Sequence, residues 1–397
     1  MTEKTNPQQP RTASLPLQLG VITLTRTLIY TGLRMVYPFL PALARGMGVS
    51  LETAAVAVTL RSAMGILSPV FGSLGDTKGR KWSLRLGLVL LAAGSLLVGL
   101  LASFPAFLAG SLLIGLGIVN FDPSIQAYVG DRVPYQRRAL AMAVVEFGWS
   151  GAFLIGIPLV GRVIDRSTWS APFLWVGGLL LFSLVLVELV LPESSLPTGT
   201  RPNLKAGLRE VLAHRPSMAA VAVSFLMITG SRNIMIVYGA WFEQAFQLSE
   251  TALGDVSTAV GLAGIAGLVA VAALSDRLGK KTSYFLGLGI NLLTVLALPY
   301  LGGSLALTVG MLFVYYLAFE FALVTALSLV SELRPGARAT LMAFHAAAVS
   351  AGDTLGSFIG PRLFDGGIFF NAGLAAVLNA AGLLILFTLV RLPEESS

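Results

Sequence analysis

The chain has 397 residues, of which 55% are hydrophobic and only 12% charged, with a net charge of +7 and a mean hydropathy of +0.80. An average soluble domain is roughly one-quarter charged, so this composition excludes a soluble enzyme, a disordered regulator and a nucleic-acid binder. There is no cysteine, and the two histidines, His214 and His345, lie far apart. Disulfides, thiolate chemistry and a histidine metal site are therefore not expected, nor is a cofactor.

Residues 1–16 are polar and lack the apolar stretch of a cleavable leader, so the first hydrophobic segment is read as a retained span. A bilayer core about 30 Å thick takes ~20 apolar residues per helix. Windows of that size predict twelve spans, at 17–40, 52–73, 84–103, 105–128, 139–162, 171–192, 218–240, 252–274, 284–302, 304–329, 339–362 and 370–391. The longest connection, 193–217, is rich in Pro, Ser and charge. The expected organisation is a tail (1–16), a six-helix bundle (17–192), a central loop (193–217), a second six-helix bundle (218–391) and a short tail (392–397). The expected class is an all-α membrane protein, not an enzyme.

Orientation follows from the basic residues. With the N-terminus in the cytoplasm, 19 Lys and Arg fall in cytoplasmic tails and loops, against four on the opposite side: Arg45, Arg162, Arg166 and Arg362. Both termini are thus expected in the cytoplasm, with the protein in the plasma (inner) membrane. The basic balance then needs no anionic macromolecule as partner.

The chain also repeats itself. Residues 72–81 (GSLGDTKGRK) and 272–281 (AALSDRLGKK) share Leu74/Leu274, Asp76/Asp276, Gly79/Gly279 and Lys81/Lys281 at a shift of 200. The same shift relates Gly156, Arg162 and Asp165 to Gly356, Arg362 and Asp365, and Arg138, Met142 and Ala143 to Arg338, Met342 and Ala343. These matches describe a duplicated six-span unit. Because six is even, the two copies share one orientation and are related by an axis along the membrane normal, with a site between them.

The GSLGDTKGRK segment between spans 2 and 3 resembles the loop signature G-x-L-x-D-x-x-G-R-K of the major facilitator superfamily. The resemblance extends over the twelve spans, the 6+6 duplication and the central loop. It implies two pseudo-symmetric bundles and a cytoplasmic gate loop comprising Gly72, Asp76, Gly79, Arg80 and Lys81, with Asp276, Gly279, Lys280 and Lys281 in the second copy. By the same resemblance Asp76 faces the start of span 11 and Asp276 the start of span 5, latching the cytoplasmic side when the cavity faces outward. Asp at a helix N-terminus is electrostatically favoured there.

Ionisable groups at bilayer depth are functional candidates by default. They are Arg26, Arg34, Arg61, Asp122 and Glu146 in the first half, and Arg232, Glu320, His345 and Asp353 in the second. At about 1.5 Å per residue, Arg26, Asp122 and Glu146 reach similar depths, which predicts a cluster, with Arg61 as a possible member. Arg232 and Asp353 also match in depth and are expected to pair. Glu320 has no cation at its own level and is a protonation candidate. Arg26, Tyr30, Arg34 and Tyr37 form a polar-aromatic stripe on span 1, Gln126 shares a face with Asp122, Trp149 with Glu146, and Asn233 with Arg232. Together these residues make the candidate substrate and coupling cavity. Arg162/Asp165 and Arg362/Asp365 read as exposed i, i+3 pairs, and Gly151, Gly156, Gly356 and Gly360 as close helix-packing points.

No G-x-x-x-x-G-K-[ST] loop is present, so the energy source is expected to be an ion gradient, protons first. The pattern resembles the bacterial drug and metabolite efflux branch of the superfamily. Ser111 stands where such antiporters carry a span-4 arginine, and Arg26, Asp122 and Glu146 are expected to substitute for it. The expected function is proton-coupled efflux of small amphipathic compounds or metabolites by a monomer in the lipid bilayer. The alternatives are a proton-coupled importer or facilitator of a polar or anionic solute, which the intramembrane arginines suit, and a lipid flippase.

Overall fold

The computed structural model describes residues 13–67, 78–192, 211–334 and 338–390. Among the described residues all twelve predicted spans are helical and no strand occurs. Most helices run a few residues past the predicted apolar windows. Span 4 is the helix Phe104–Arg132, span 8 Glu250–Leu278, span 10 Leu305–Leu333 and span 11 Arg338–Phe364. Helical hydrogen bonding continues into the interface, where side chains are polar, so hydropathy marks the buried core of a helix and not its ends. The central loop is shorter than expected at its far end, since span 7 already begins at Arg215.

Nine of the described helices are long and apolar enough to cross a membrane by themselves. Spans 1, 2 and 11 are the others, and they carry Arg26, Arg34, Arg61, His345 and Asp353 inward. Large apolar side chains such as Leu189, Phe387 and Leu100 are about 70% or more exposed, as expected of a surface solvated by lipid chains and not by water.

Three spans are interrupted, and the sequence explains two of them. Span 1 consists of Leu15–Arg34 and Val36–Met47, broken at Met35. Pro38 lacks an N–H for the Arg34 carbonyl and its ring crowds that carbonyl, so the helix breaks one turn earlier. In span 5 the segment Ala152–Gly156 is a π-turn between Tyr135–Gly151 and Ile157–Arg166. Pro158 sits just beyond it, and the wider turn accommodates the missing donor. Span 7 passes from Arg215–Met235 to Tyr238–Phe246 through a short irregular link.

Duplication is visible in the contacts as well as in the sequence. Gly79 and Gly279 open spans 3 and 9 with φ of 96° and 79°, values that favour glycine. Arg80 reaches Asp131 at the end of span 4 (3.3 Å), and Lys280 pairs with Glu332 near the end of span 10. Lys81 donates to the Glu188 carbonyl of span 6 (2.9 Å), and Lys281 to the Phe387 carbonyl of span 12 (3.4 Å). Arg80 and Lys81, with their counterparts, therefore tie helix ends together within each bundle. Gly72 and Asp76 lie outside the described residues. Asp276 is exposed and makes no hydrogen bond or ion pair among the described residues.

We call the side bearing the predicted basic loops the basic face. The two bundles meet at mid-depth and toward the opposite face. There Arg45 of span 1 binds Glu243 (2.5 Å) and Glu250 (3.1 Å), and Arg162 of span 5 binds Asp255 (3.0 Å). Asp165 accepts from the backbone N–H of Thr251 (2.8 Å) and from its hydroxyl. Arg162 and Asp165 thus each reach the other bundle, which corrects the expected i, i+3 pair: a side chain at a helix end finds a better partner on the facing helix. Arg362 likewise leaves Asp365, donating to the Phe358 carbonyl and stacking on the Phe358 ring (3.8 Å). Spans 1 and 7 cross in backbone contact, where a Cβ at Gly239 would lie 2.0 Å from the Pro38 carbonyl oxygen. No hydrogen bond or ion pair between described residues joins the bundles at the basic face.

Candidate functional site

On the basic-face side of the Pro38–Gly239 crossing lies a cavity of about 280 Å³. Span 1 contributes Tyr30, Leu33, Arg34 and Tyr37. Span 2 adds Arg61, Ser62 and Gly65, span 4 adds Ile118, Val119, Asp122 and Pro123, and span 11 adds Ala346, Ser350 and Asp353. The walls come from both bundles, so any relative movement of the bundles changes the cavity.

One end is acidic. Arg26 is 3% exposed and stands between two carboxylates. Its Nη1 donates to Glu146 Oε1 (2.7 Å) and to the Val145 carbonyl (3.3 Å), and its Nε lies 3.5 Å from Asp122 Oδ1. Tyr30 closes the ring, accepting from Arg26 Nη2 (3.3 Å) and donating to Asp122 Oδ2 (2.6 Å). Span 1 can approach span 5 this closely because Gly148 has no side chain: a Cβ there would fall 2.6 Å from Arg26 Cβ. Burying one guanidinium costs several kcal/mol, and the carboxylates and the tyrosine offset it. The trio carries a net charge of −1 when both acids are ionised, so one proton brings it to neutrality.

The other end is basic and centres on Tyr37. Its ring, 2% exposed, has the guanidinium carbons of Arg34, Arg61 and Arg232 at 5.7, 5.8 and 5.0 Å from its centroid. All three are within cation–π range. Arg61 Nη2 also donates to the Tyr37 hydroxyl (3.4 Å), and Arg232 forms an ion pair with Asp353. Arg61 therefore belongs to Tyr37 and not to the Arg26 cluster. The break after Arg34 turns Tyr37 toward spans 2 and 7, and helical depth alone did not reveal that turn. Tyr37 itself was visible as part of the span-1 stripe, at i+3 from Arg34, but its role as a hub was not.

Glu320 of span 10 makes no hydrogen bond or ion pair among the described residues, and the charges that act on it are Arg34 and Glu146. Of the expected cavity residues, Tyr30, Arg34, Arg61, Asp122 and Asp353 line the cavity, Arg26, Glu146 and Arg232 are joined to these through ion pairs, and Glu320, Gln126, Trp149 and Asn233 are outside the lining. Gln126 is exposed and is not part of the lining. Trp149 packs on Phe153 (5.1 Å) and against Gly264 of span 8. Asn233 is fully buried, donating to the Asn371 carbonyl (2.7 Å) and accepting from Asn371 Nδ2 (2.8 Å), so it clamps span 7 to span 12. Gln126 shares span 4 with Asp122 but lies outside the lining, and spans 5 and 7, which carry Trp149 and Asn233, contribute no lining residue. The four glycines expected as packing points, Gly151, Gly156, Gly356 and Gly360, pack within their own bundles, Gly156 against Thr31 and Gly356 against Thr229, whereas Gly161 of span 5 meets the Glu250 backbone of the other bundle.

The arrangement is a two-bundle cavity with an acidic and a basic end, and comparisons with known proteins identify the fold that carries it. The MFS-type transporter YwfA of Bacillus subtilis (strain 168) is 26% identical over 381 residues, covering 94% of this chain and 89% of its own. The multidrug resistance protein MdtG of Enterobacter lignolyticus (strain SCF1) is 26% identical over 382 residues, covering 90% and 86%. A D-xylose–proton symporter superposes with a TM-score of 0.80 at 16% identity, covering 96% of this chain and 99% of that one. A bacterial homologue of the lysosomal transporter Spinster, crystallised facing inward, gives 0.70 at 15% identity, covering 94% and 95%. The sequence profile of the Major Facilitator Superfamily matches residues 22–230 and 219–397, and the chain belongs to that superfamily.

Proposed function

We propose that this transporter exports small amphipathic compounds in exchange for protons, by alternating access. Its basic face is assigned to the cytoplasm, because 19 Lys and Arg lie on that side against four opposite. The described contacts between the bundles then lie toward the outer side, which supports an inward-facing reading. The observation that carries the proton assignment is the Arg26–Asp122–Glu146 trio, in which two carboxylates share one guanidinium at the cavity wall. Adding a proton to either acid releases it from Arg26 and alters the contacts of Tyr30, which itself lines the cavity. Glu320, which makes no hydrogen bond or ion pair among the described residues, is a third carboxyl at membrane depth. Efflux is favoured by full-length relatives named as multidrug resistance proteins.

A second reading, uptake of an anionic solute together with protons, is favoured by the guanidinium surplus around Tyr37. Proteoliposomes under an imposed pH gradient separate the two. They are given ethidium, an uncharged dye and an aromatic carboxylate in turn. Export requires the solute to move against the incoming protons. Accumulation of the carboxylate alone, in the same direction as protons, replaces it with the uptake reading. Absence of any pH-driven flux overturns both.

A further inference from the structure

We propose that the three guanidiniums around Tyr37 are the recognition site for an anionic group, so that the solutes handled by this cavity are amphipathic acids. The inference rests on the transport reading above only in taking the cavity as the solute path.

Three arginines share one aromatic ring, and among the described residues only Asp353 lies within 4 Å of them as a counter-ion, through Arg232. Arg34 and Arg61 have no carboxylate partner among the described residues, and Nε of Arg34 is shielded from solvent without any hydrogen-bond acceptor. Burying guanidinium without a counter-ion is costly, and a fold keeps such an arrangement where a ligand completes it. Both side chains line the cavity, so the missing acceptor is one that arrives from it. The planar donor fork of arginine matches a carboxylate, and two such forks within 6 Å of one ring centroid suit a single small oxyanion. Directly beside them the wall is apolar, formed by Leu33, Ile118, Val119 and Ala346. That juxtaposition selects a molecule with a compact anionic head and an apolar body. The site also spans the bundles, since Arg34, Arg61 and Tyr37 belong to one and Arg232 and Asp353 to the other. An anion bound there bridges them, and it is released when they part.

The test is equilibrium binding to the purified full-length chain in phosphatidylcholine nanodiscs, with three probes of one shape: 1-naphthoate, 1-naphthalenemethanol and 1-naphthylmethylammonium. Naphthoate is expected to bind saturably and at least tenfold more tightly than the other two. Arg61→Gln and Tyr37→Leu should each weaken naphthoate about tenfold or more, whereas Arg166→Gln, the same charge change at an exposed site on the opposite face, should not. Should Arg61→Gln prove unstable, Arg61→Lys keeps the charge, loses the fork and should fall between. The proposal is overturned if the ammonium or alcohol binds as well as naphthoate, if naphthoate does not saturate, or if Arg166→Gln weakens it as much as Arg61→Gln does. Proton-driven dye flux is measured on the same preparations. Flux without naphthoate selectivity sinks the anion site alone, and naphthoate selectivity without flux sinks the transport reading alone.

Discussion

The backbone contact between Gly239 and Pro38 gives a direct handle on the equilibrium between the two faces of the transporter. An alanine at 239 would place its Cβ 2.0 Å from the Pro38 carbonyl oxygen, 2.6 Å from the carbonyl carbon and 2.8 Å from the Pro38 Cα. All three are backbone atoms, and the proline ring fixes φ at 38, so no rotamer change relieves the overlap. The helices have to separate by more than about 1 Å, at a typical overpacking cost of about 1–3 kcal/mol. The cost applies only while the bundles touch on that face, because rocking them apart removes the contact. Gly239→Ala should therefore shift the population away from the observed state by roughly 5- to 150-fold. The chain has no cysteine, so Ser167→Cys and Gln244→Cys, both exposed on the opposite face and on different bundles, provide a clean spin-label pair. Pulsed dipolar spectroscopy should show a longer distance gaining population in Gly239→Ala. Gly178→Ala, which meets nothing within 4 Å, should leave the distribution alone. An unchanged distribution in folded Gly239→Ala would refute the idea that this crossing is where the faces part.

Other outcomes follow from the same geometry. Arg26→Met leaves Asp122 and Glu146 facing each other without a cation and should lower stability by about 3–5 kcal/mol, read as a fall in the detergent unfolding midpoint, and Asp122→Asn in that background should restore part of it. Asn371→Ala removes donors to Asn233 Oδ1 (2.8 Å) and the Gly360 carbonyl (2.7 Å) and should cost about 1–3 kcal/mol while leaving naphthoate affinity in the surviving folded protein unchanged; a selective loss of binding would return Asn233 to the cavity. Lys280→Gln breaks a pair whose carboxylate is half exposed, so the unfolding midpoint should move little, in keeping with an exposed pair's ~0–1 kcal/mol.

The fold was legible because its causes are one-dimensional. Apolar windows set the number of spans, and a shift of 200 revealed the repeat, down to Gly79 and Gly279 both taking a positive φ. Part of the site was legible for a similar reason. Arg26, Asp122 and Glu146, like Arg232 and Asp353, match in depth, and depth is read by counting residues from a helix end. What counting does not supply is rotation about the helix axis. Gln126 shares a helix with Asp122 and lies outside the lining, Trp149 packs on Phe153, and Asn233 turns toward span 12. Nor does counting supply the break that Pro38 imposes on span 1, which moves Tyr37 off a straight stripe and into the middle of three arginines. Contacts between the bundles, such as Arg45 with Glu243 and Arg162 with Asp255, join residues distant in sequence through a conformation, and a conformation is not written in periodicity.

Proton movement driven by solute tests the central claim most directly. Proteoliposomes holding the purified transporter and a pH-sensitive dye are given an outward solute gradient with no initial pH difference. The account predicts proton flux opposite to the solute in the unmodified protein, and its loss in Asp122→Asn and in Glu146→Gln although both variants still bind solute. Proton flux that persists in both variants, or solute movement with no proton flux at all, would contradict it.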